Sequence, residues 1–155
     1  MNVLVVGANS YIAKAFIQKW HTRFSFKELS RNAAMTDYFD LTPEYFTEID
    51  VVVNFAAIVH QKSPDAALAA KINTELPLFM ATMAKQAGVK QFIQLSTIAV
   101  YGSYVNTIDS KSVVNPDTLY GKTKALADTR LGKMSDNTFA VTIVRPPIVY
   151  GNNAP

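Results

Sequence analysis

The chain begins with a continuous apolar run over residues 3–6, which Gly7 closes. An uninterrupted run of this kind predicts a strand that is buried on both faces, as in a parallel sheet. Tyr11–Trp20 places its apolar residues three and four positions apart, which predicts a helix with one buried face. Residues 24–29 predict a second strand, and residues 35–39 predict a short third strand.

Strands recur in the second part of the chain. Residues 50–55, 91–95 and 139–144 carry apolar runs and predict three further strands. Helical segments separate these strands, and parallel neighbours need crossover connections. The pattern therefore predicts an α/β fold with a doubly wound parallel sheet.

Two long helices are predicted between these later strands. The first covers residues 63–87, with a serine N-cap, proline at the first helical position and Gly88 as its stop. Pro77 lies inside this helix and is expected to kink or split it. The second helix covers residues 119–131.

Composition narrows the class of protein. With 155 residues, 49% of them hydrophobic and 17% charged, the chain has the composition of one ordinary globular domain. The net charge is +3, but the basic residues are scattered and never form a run of three, so nucleic acid is not a favoured partner. The apolar runs are too short to span a membrane, and no signal peptide is indicated.

Cysteine and histidine limit the chemistry further. The sequence has no cysteine, which excludes disulfides and thiolate metal ligands and fits a reducing compartment; the predicted location is cytoplasmic. The two histidines, His21 and His60, make a zinc site improbable, so no metal is predicted.

The first strand–turn–helix unit is a candidate dinucleotide site. Its residues 7–13 are Gly-Ala-Asn-Ser-Tyr-Ile-Ala, and a glycine here lets a pyrophosphate approach the N–H groups of the helix N-terminus. Only the first of three usual glycines is present; Ala13 still allows close packing, and Ser10 could cap the helix or donate to a phosphate. A plain strand–turn–helix explains the segment equally well. The candidate binding residues are Gly7, Asn9, Ser10, Tyr11 and Ile12.

The end of the second predicted strand bears on the choice of cofactor. An acidic residue there accepts a hydrogen bond from the ribose 2′-hydroxyl of NAD, whereas an arginine suits the 2′-phosphate of NADP. The strand is followed by Ser30 and Arg31, and Glu28 is placed early for the ribose. This slightly favours NADP over NAD; a solvated surface arginine explains Arg31 almost as well.

Tyr120 and Lys124 are the candidate reaction groups. Four positions apart, they share one face of the predicted helix. A lysine ammonium about 5 Å from a phenolate, at an effective dielectric of about 20, stabilises it by roughly 3 kcal/mol, or about two pKa units, which predicts a base poised near neutral pH. The spacing is common by chance, and it gains weight from Ser96 and Thr97, whose hydroxyls follow a buried strand. Thr97 could hold the same substrate oxygen as Tyr120.

Together these motifs resemble the extended short-chain dehydrogenase/reductase superfamily, in its nucleotide-sugar epimerase/dehydratase branch. The resemblance covers almost the whole chain and is specific in order and spacing. It is carried by residues 7–13, Asp40, Leu41, residues 54–57, His60, Asn73, Ser96, Thr97, residues 100–102, Asn115, Pro116, Tyr120, Lys124, Arg145, Pro146 and residues 149–151.

The resemblance implies a Rossmann-type NAD(P)-binding domain. It makes Tyr120 the acid/base and Thr97 the active-site hydroxyl, while Lys124 would bind the nicotinamide ribose and tune Tyr120. Asp40 and Leu41 would meet the adenine. The other cofactor-binding residues that it implies are Phe55, Ala56, Ala57 and Pro146, the two alanines acting through their backbone. For His60 a structural role is favoured.

Departures from the family pattern narrow the expected reaction. Ile98 and Ala99 stand where sugar 4,6-dehydratases carry Asp-Glu, which disfavours a dehydratase. Pro147 stands where many epimerases carry an asparagine, which leaves a ketoreductase credible. The expectation is an NAD(P)-dependent nucleotide-sugar epimerase or 4-ketoreductase. The alternative is a non-catalytic NAD(P)-binding regulatory module, which would not need both Tyr120 and Lys124.

Two further expectations concern substrate and assembly. Family members have a C-terminal substrate lobe that is missing after Pro155, so little or no turnover is expected from these 155 residues alone. Relatives also often pair the two helices that flank the active-site strand. The small and apolar residues of the helix at 63–87 therefore predict a homodimer through a four-helix bundle.

Overall fold

A five-stranded parallel sheet forms the centre of the computed structural model, which describes residues 1–30, 38–59 and 65–151. Its strands are β1 (Asn2–Val6), β2 (Ser25–Leu29), β3 (Val51–Asn54), β4 (Gln91–Leu95) and β5 (Ala140–Val144). They lie in the order β2-β1-β3-β4-β5. The predicted α/β class with a doubly wound parallel sheet is confirmed.

Helices connect the strands on both faces of this sheet. They are α1 (Tyr11–Trp20) between β1 and β2, α2 (Ala66–Ala70) and α3 (Leu76–Gln86) between β3 and β4, and α4 (Leu119–Gly132) between β4 and β5. A π-helical turn, Lys71–Glu75, joins α2 to α3. Short 3₁₀ turns occupy Tyr38–Asp40, Pro43–Phe46 and Ile98–Tyr101.

Alternate residues of the inner strands supply two separate cores. Val3 and Val5 of β1 pack with Val53 and, from α1, Ala13 and Phe16. The larger core lies on the other face, because successive strand side chains point in opposite directions. Its buried members include Leu4, Val6, Val52, Leu76, Met80, Phe92 and Leu131. The continuous apolar runs of β1 and β3 are therefore explained by burial on both faces.

Pro77 is accommodated by the π-helical turn. A proline has no N–H to donate to the residue four positions earlier, and its ring crowds that carbonyl. Here Leu76 donates instead to the carbonyl of Lys71, five residues back, and Pro77 falls in the first turn of α3. The predicted interruption is thus confirmed as a wider turn that places both Asn73 and Thr74 in the buried interior.

The start of this helix differs from the prediction. Asp65 is the N-cap of α2, and its Oδ1 accepts hydrogen bonds from Ala67 N at 2.9 Å and Leu68 N at 3.1 Å. A carboxylate on two free N–H groups is a strong cap, so the helix begins at Ala66 and not at the proline. Ser63 and His60 lie outside the described residues.

The predicted short third strand is wrong where it can be compared. Tyr38 and Phe39 belong to a 3₁₀ turn, and both pack against the larger core; residues 35–37 lie outside the described residues. Packing of these two aromatic side chains replaces strand pairing there. The remaining predicted strands and helices are confirmed to within a residue or two at each end, and α1 has the predicted bounds.

The sheet is less covered towards its β5 edge. Thr142 and Val144 are exposed, while Val141 and Ile143 are half-buried. Among the described helices, none is long and apolar enough to cross a membrane.

Candidate active site

The candidate site lies at the carboxyl ends of β1, β3 and β4. The chain leaves β1 towards β2 and leaves β3 towards β4, so their crossovers diverge between these two neighbouring strands. Such a switch point opens a crevice beyond the strand ends, where doubly wound sheets bind ligands.

Gly7 allows the chain after β1 to come close to the chain after β3. It has φ +78°, and a Cβ atom placed on it would lie 2.6 Å from the backbone nitrogen of Ala56. Ala56 is in turn held by its N–H, which donates to Asn54 Oδ1 at 3.1 Å. The first glycine of the motif is therefore required by the approach of the chain to itself, before any ligand is considered.

Ser10 caps α1, as one of its two predicted roles required. Its Oγ accepts from Ala13 N at 3.3 Å, and its extended backbone leads into the first helical turn. A cavity of about 190 Å³ opens beside this helix N-terminus. Its lining consists of Gly7, Asn9, Ser10, Tyr38, Phe55, Ala56, Ala57, Ile58 and Ile72.

The cavity therefore gathers six of the fourteen predicted cofactor residues that lie in the described part of the chain, and neither Tyr120 nor Lys124 is among them. Tyr11 and Ile12 form the first turn of α1, just behind it. Ser30 follows β2, and Arg31 lies outside the described residues. The glycine turn and the helix N-terminus beside this cavity suit the pyrophosphate of a dinucleotide, which needs close backbone approach and free N–H groups.

The adenine prediction and Pro146 are placed less directly. Asp40 is exposed at the end of a 3₁₀ turn, and Leu41 packs against the larger core, so neither lines the cavity. Pro146 accepts a hydrogen bond from Ile98 N at 3.2 Å, which holds the segment after β5 beside Thr97. The roles predicted for these three residues stay predictions.

Thr97 and Tyr120 are brought together by the close approach of α4 to the turn after β4. A Cβ atom on Gly121 would lie 2.5 Å from the carbonyl oxygen of Ala99, so only glycine lets the first turn of α4 come this near. Thr118 caps that turn by accepting from Gly121 N at 3.0 Å. Thr97 Oγ1 accepts from Ala99 N at 3.1 Å, and the side chain of Thr97 lies near enough to Tyr120 to lower the pKa of its hydroxyl.

The pKa of Tyr120 is raised, contrary to the sequence prediction. Burial is the largest cause, the hydrogen bond with Thr97 lowers the pKa, and the negative charge of Asp128 raises it again. The prediction assumed that Lys124 would dominate, but the phenol is desolvated without a compensating cation. Tyr120 is therefore protonated at neutral pH and is ready to donate its proton.

Lys124 is completely buried, one helical turn beyond Tyr120. Its Nζ donates to the carbonyl oxygen of Leu95 at 2.7 Å, and Gln94 Nε2 donates to the same oxygen at 3.3 Å. Burial lowers the pKa of Lys124 from 10.5 to about 8, and the charge of Asp128 raises it in part. The ammonium is thus anchored at the end of β4 by a backbone group.

Asn73 joins the cavity wall to the helix of Tyr120. Its Oδ1 accepts from Ile58 N at 2.7 Å, while its Nδ2 donates to Ile58 O and to Thr123 Oγ1, each at 3.1 Å. Thr74 donates from Oγ1 to the carbonyl of Thr123 at 2.8 Å. The π-helical turn aims both side chains at α4, so Asn73 has a structural role of the kind that packing predicts.

Sequence reasoning missed Asp128, a buried carboxylate on α4. Its Oδ2 accepts from Ser96 Oγ at 2.8 Å and from Arg145 Nε at 2.9 Å. Arg145 also donates to the hydroxyl of Tyr101 at 2.9 Å. Its position four residues after Lys124 was the available signal, because that spacing puts both on one helix face.

The arrangement provides a proton donor, a hydroxyl beside it, a buried cation and, at the glycine turn, a cavity beside a helix N-terminus. Within the described residues there is no group of three or more His, Cys, Asp or Glu that could hold a metal ion. These groups suit proton transfer to or from an oxygen atom that Thr97 and Tyr120 both contact.

Two curated relatives resemble the chain. It is 24% identical over 163 residues to the N-acetyl-alpha-D-glucosaminyl-diphospho-ditrans,octacis-undecaprenol 4-epimerase of Escherichia coli O157:H7, covering 97% of this chain and 49% of that protein. It is 33% identical over 112 residues to the UDP-glucose 4-epimerase of Vibrio cholerae, covering 65% of this chain and 33% of that protein. The chain thus spans half or less of the length of these relatives.

Solved structures share the fold. UDP-glucuronic acid 4-epimerase from Bacillus cereus, in complex with NAD, superposes with a TM-score of 0.82 at 21% identity, covering 97% of this chain and 58% of that one. RMD from Pseudomonas aeruginosa, complexed with NADPH, gives 0.73 at 20% identity, covering 95% and 54%. The family model described as "Epimerase: NAD dependent epimerase/dehydratase family" matches residues 3–155. Because this match covers almost the whole chain, the chain belongs to the NAD dependent epimerase/dehydratase family.

Proposed function

We propose that this protein is the cofactor-binding and catalytic part of a nucleotide-sugar epimerase or 4-ketoreductase. The observation that carries the proposal is the close approach of α4 to the turn after β4, which sets Thr97 beside a buried, protonated Tyr120, with Lys124 one turn away on the same helix. A regulatory module that only binds a dinucleotide does not need a buried phenol near the carboxyl ends of the strands.

Tyr120 is the proton-transfer group in this proposal. Since burial raises its pKa, the side chain rests as a phenol and donates to a sugar oxygen that becomes a hydroxyl. In the opposite direction the same oxygen returns its proton to the phenolate. Thr97 donates to or accepts from that oxygen and so fixes its position relative to Tyr120.

A nicotinamide cofactor supplies the hydride when it is bound. In this proposal Gly7 and the N-terminus of α1 receive its pyrophosphate, and Ala56 and Ala57, which line the same cavity as Gly7, contact it through their backbone. Lys124 holds a buried positive charge one helical turn from Tyr120. The choice between NAD and NADP rests on Ser30 and Arg31, and the arginine slightly favours NADP.

The two curated relatives are named for a sugar diphosphate carried by undecaprenol and for UDP-glucose, which supports a substrate whose sugar is linked to a diphosphate. We assign a nucleotide sugar to the site, with the reacting sugar carbon between Tyr120 and the nicotinamide. The absence of cysteine fits a protein that works in the cytoplasm.

We also propose a homodimer through α3 and α4. Leu126 is exposed on α4, and Leu78, Phe79 and Met83 are only half-buried on α3. The accessible parts of these apolar side chains are area that a four-helix interface would bury.

Replacement of Tyr120 tests the reaction. In the complete protein we expect Y120F to lower turnover of UDP-glucose or UDP-glucuronic acid by about 1,000-fold, because the proton donor is lost. Binding of NAD and NADP, measured by calorimetry, should change by less than about twofold. Y104F is the matched control, since Tyr104 is 94% exposed on the loop after β4 and should behave as wild type. Near-normal turnover of Y120F would refute the assignment. If the wild-type protein binds the cofactor but turns over no nucleotide sugar, the regulatory module is favoured.

A further inference from the structure

The proposed mechanism leaves one buried charged group without a task. Asp128 lies on α4 one helical turn after Lys124, and its side chain is 2% exposed. A carboxylate in such a place is costly unless its charge is compensated, so its partners show what it is held for.

Both partners of Asp128 contact the same oxygen. Ser96 Oγ and Arg145 Nε donate to Oδ2 at 2.8 Å and 2.9 Å, whereas Oδ1 is buried and has no hydrogen-bond partner. Ser96 follows β4 and Arg145 follows β5, so the carboxylate ties the ends of two strands to the helix that carries the reaction groups.

The charge of Asp128 is only partly neutralised by these contacts. Arg145 is shared, because its NH1 donates to Tyr101 at 2.9 Å and its guanidinium lies 5.3 Å from the centre of that ring. The remaining negative potential acts on α4 itself, where it raises the pKa of both Lys124 and Tyr120. From the π-helical turn that packs on α4, the facing groups are Asn73 and Thr74, which carry no charge.

We propose that Asp128 is a positioning residue of the Tyr120–Lys124 pair: anchored by Ser96 and Arg145, its carboxylate keeps the buried Lys124 ammonium charged at the end of β4. The importance of that charge for turnover rests on the proposed function, whereas the coupling between Asp128 and Lys124 does not. Arg145 has the opposite effect on the charge of Lys124, because it neutralises part of the negative charge of the same carboxylate.

Titration of Lys124 tests the coupling without turnover. The Lys124 resonance is followed by ¹³Cε NMR in the protein without cofactor, for wild type and D128N. Loss of the carboxylate should lower the pKa of Lys124 from about 8 by about one to two units, as expected for unit charges one helical turn apart. D136N removes an exposed carboxylate that pairs with Lys85 and should leave Lys124 unchanged. A shift in D128N no larger than in D136N would overturn the proposal.

Two more variants should change the pKa of Lys124 in ways that general structural damage would not. R145Q should raise the pKa of Lys124, and it decides the question if D128N fails to fold; a fall or no change would refute the proposal. D128E keeps the charge and should restore a pKa near that of wild type.

Activity supplies the link to function. In the complete protein the alkaline limb of the pH profile of kcat should move to lower pH in D128N and return in D128E. If Lys124 titrates as expected but no variant or wild type turns over a nucleotide sugar, the proposed function fails and the coupling stands. If turnover is normal and the limb does not move, the positioning role is refuted.

Discussion

Replacement of Gly7 by alanine should destabilise the protein even when no cofactor is present. Two costs add in the structure: φ +78° is unfavourable for alanine by about 1–2 kcal/mol, and a Cβ atom 2.6 Å from the nitrogen of Ala56 forces the two strand ends apart, at about 1–3 kcal/mol. We expect G7A to lose about 2–5 kcal/mol of unfolding free energy, a large part of the total for a domain of this size. Urea unfolding is followed through Trp20, the only tryptophan, which ends α1.

Two other glycines separate these costs. Gly88 has φ +83° but open space where a Cβ atom would be, so G88A should show the backbone cost alone, about 1–2 kcal/mol. Gly132, at the end of α4, has neither constraint, and G132A should be neutral or slightly stabilising. If G7A loses no more stability than G88A, the clash with Ala56 does not exist and the reason given for this glycine is wrong.

The remaining predictions concern Lys124 and assembly. Lys124 has a pKa of about 8 when folded and 10.5 as its ordinary value, so the unfolded chain binds the proton more tightly and this group adds stability as pH rises from about 8 to 10.5. K124M should remove that rise and gain about 1–2 kcal/mol at pH 7, measured by urea unfolding across pH, while turnover is lost; a loss of stability at pH 7 would contradict this. Sedimentation at micromolar concentration should show a dimer that L126E converts to monomer, and a wild-type monomer would count against the proposed interface.

Local patterns predicted the fold well where one signal dominated. The apolar runs of β1 and β3 and the spacing of α1 gave almost the observed bounds, because burial decides the conformation there. The signal was weaker around Tyr38 and Phe39, where an aromatic pattern fits both a strand and a turn that packs on the core. At the start of α2 the sequence offers two possible caps, Ser63 and Asp65, and the carboxylate of Asp65 caps the helix.

The site shows a sharper limit. Spacing along one helix predicted that Tyr120 and Lys124 lie together, and a hydroxyl at the end of a buried strand indicated Thr97, to which the resemblance then gave a role in the active site. The direction in which the pKa of Tyr120 shifts could not be predicted, because the shift depends on burial and on Asp128. Both depend on how α4 packs against β4 and β5. Asn54 and Gln94 are similar cases: each is a polar residue in a buried strand, and only the structure shows that they hydrogen-bond to each other at 2.8 Å.

The wide turn at Lys71–Glu75 makes chain length, more than residue identity, the constraint on this segment. Removal of one residue would let an ordinary α-helix run from α2 into α3, with every backbone hydrogen bond still satisfied except at Pro77. The residues before the deletion would nevertheless rotate by about 100° relative to those after it. Asn73 and Thr74 would then no longer both face Thr123. A regular helix here would therefore break the hydrogen bonds by which Asn73 and Thr74 connect the cavity wall to α4. An engineered version of this domain has to keep the irregular turn.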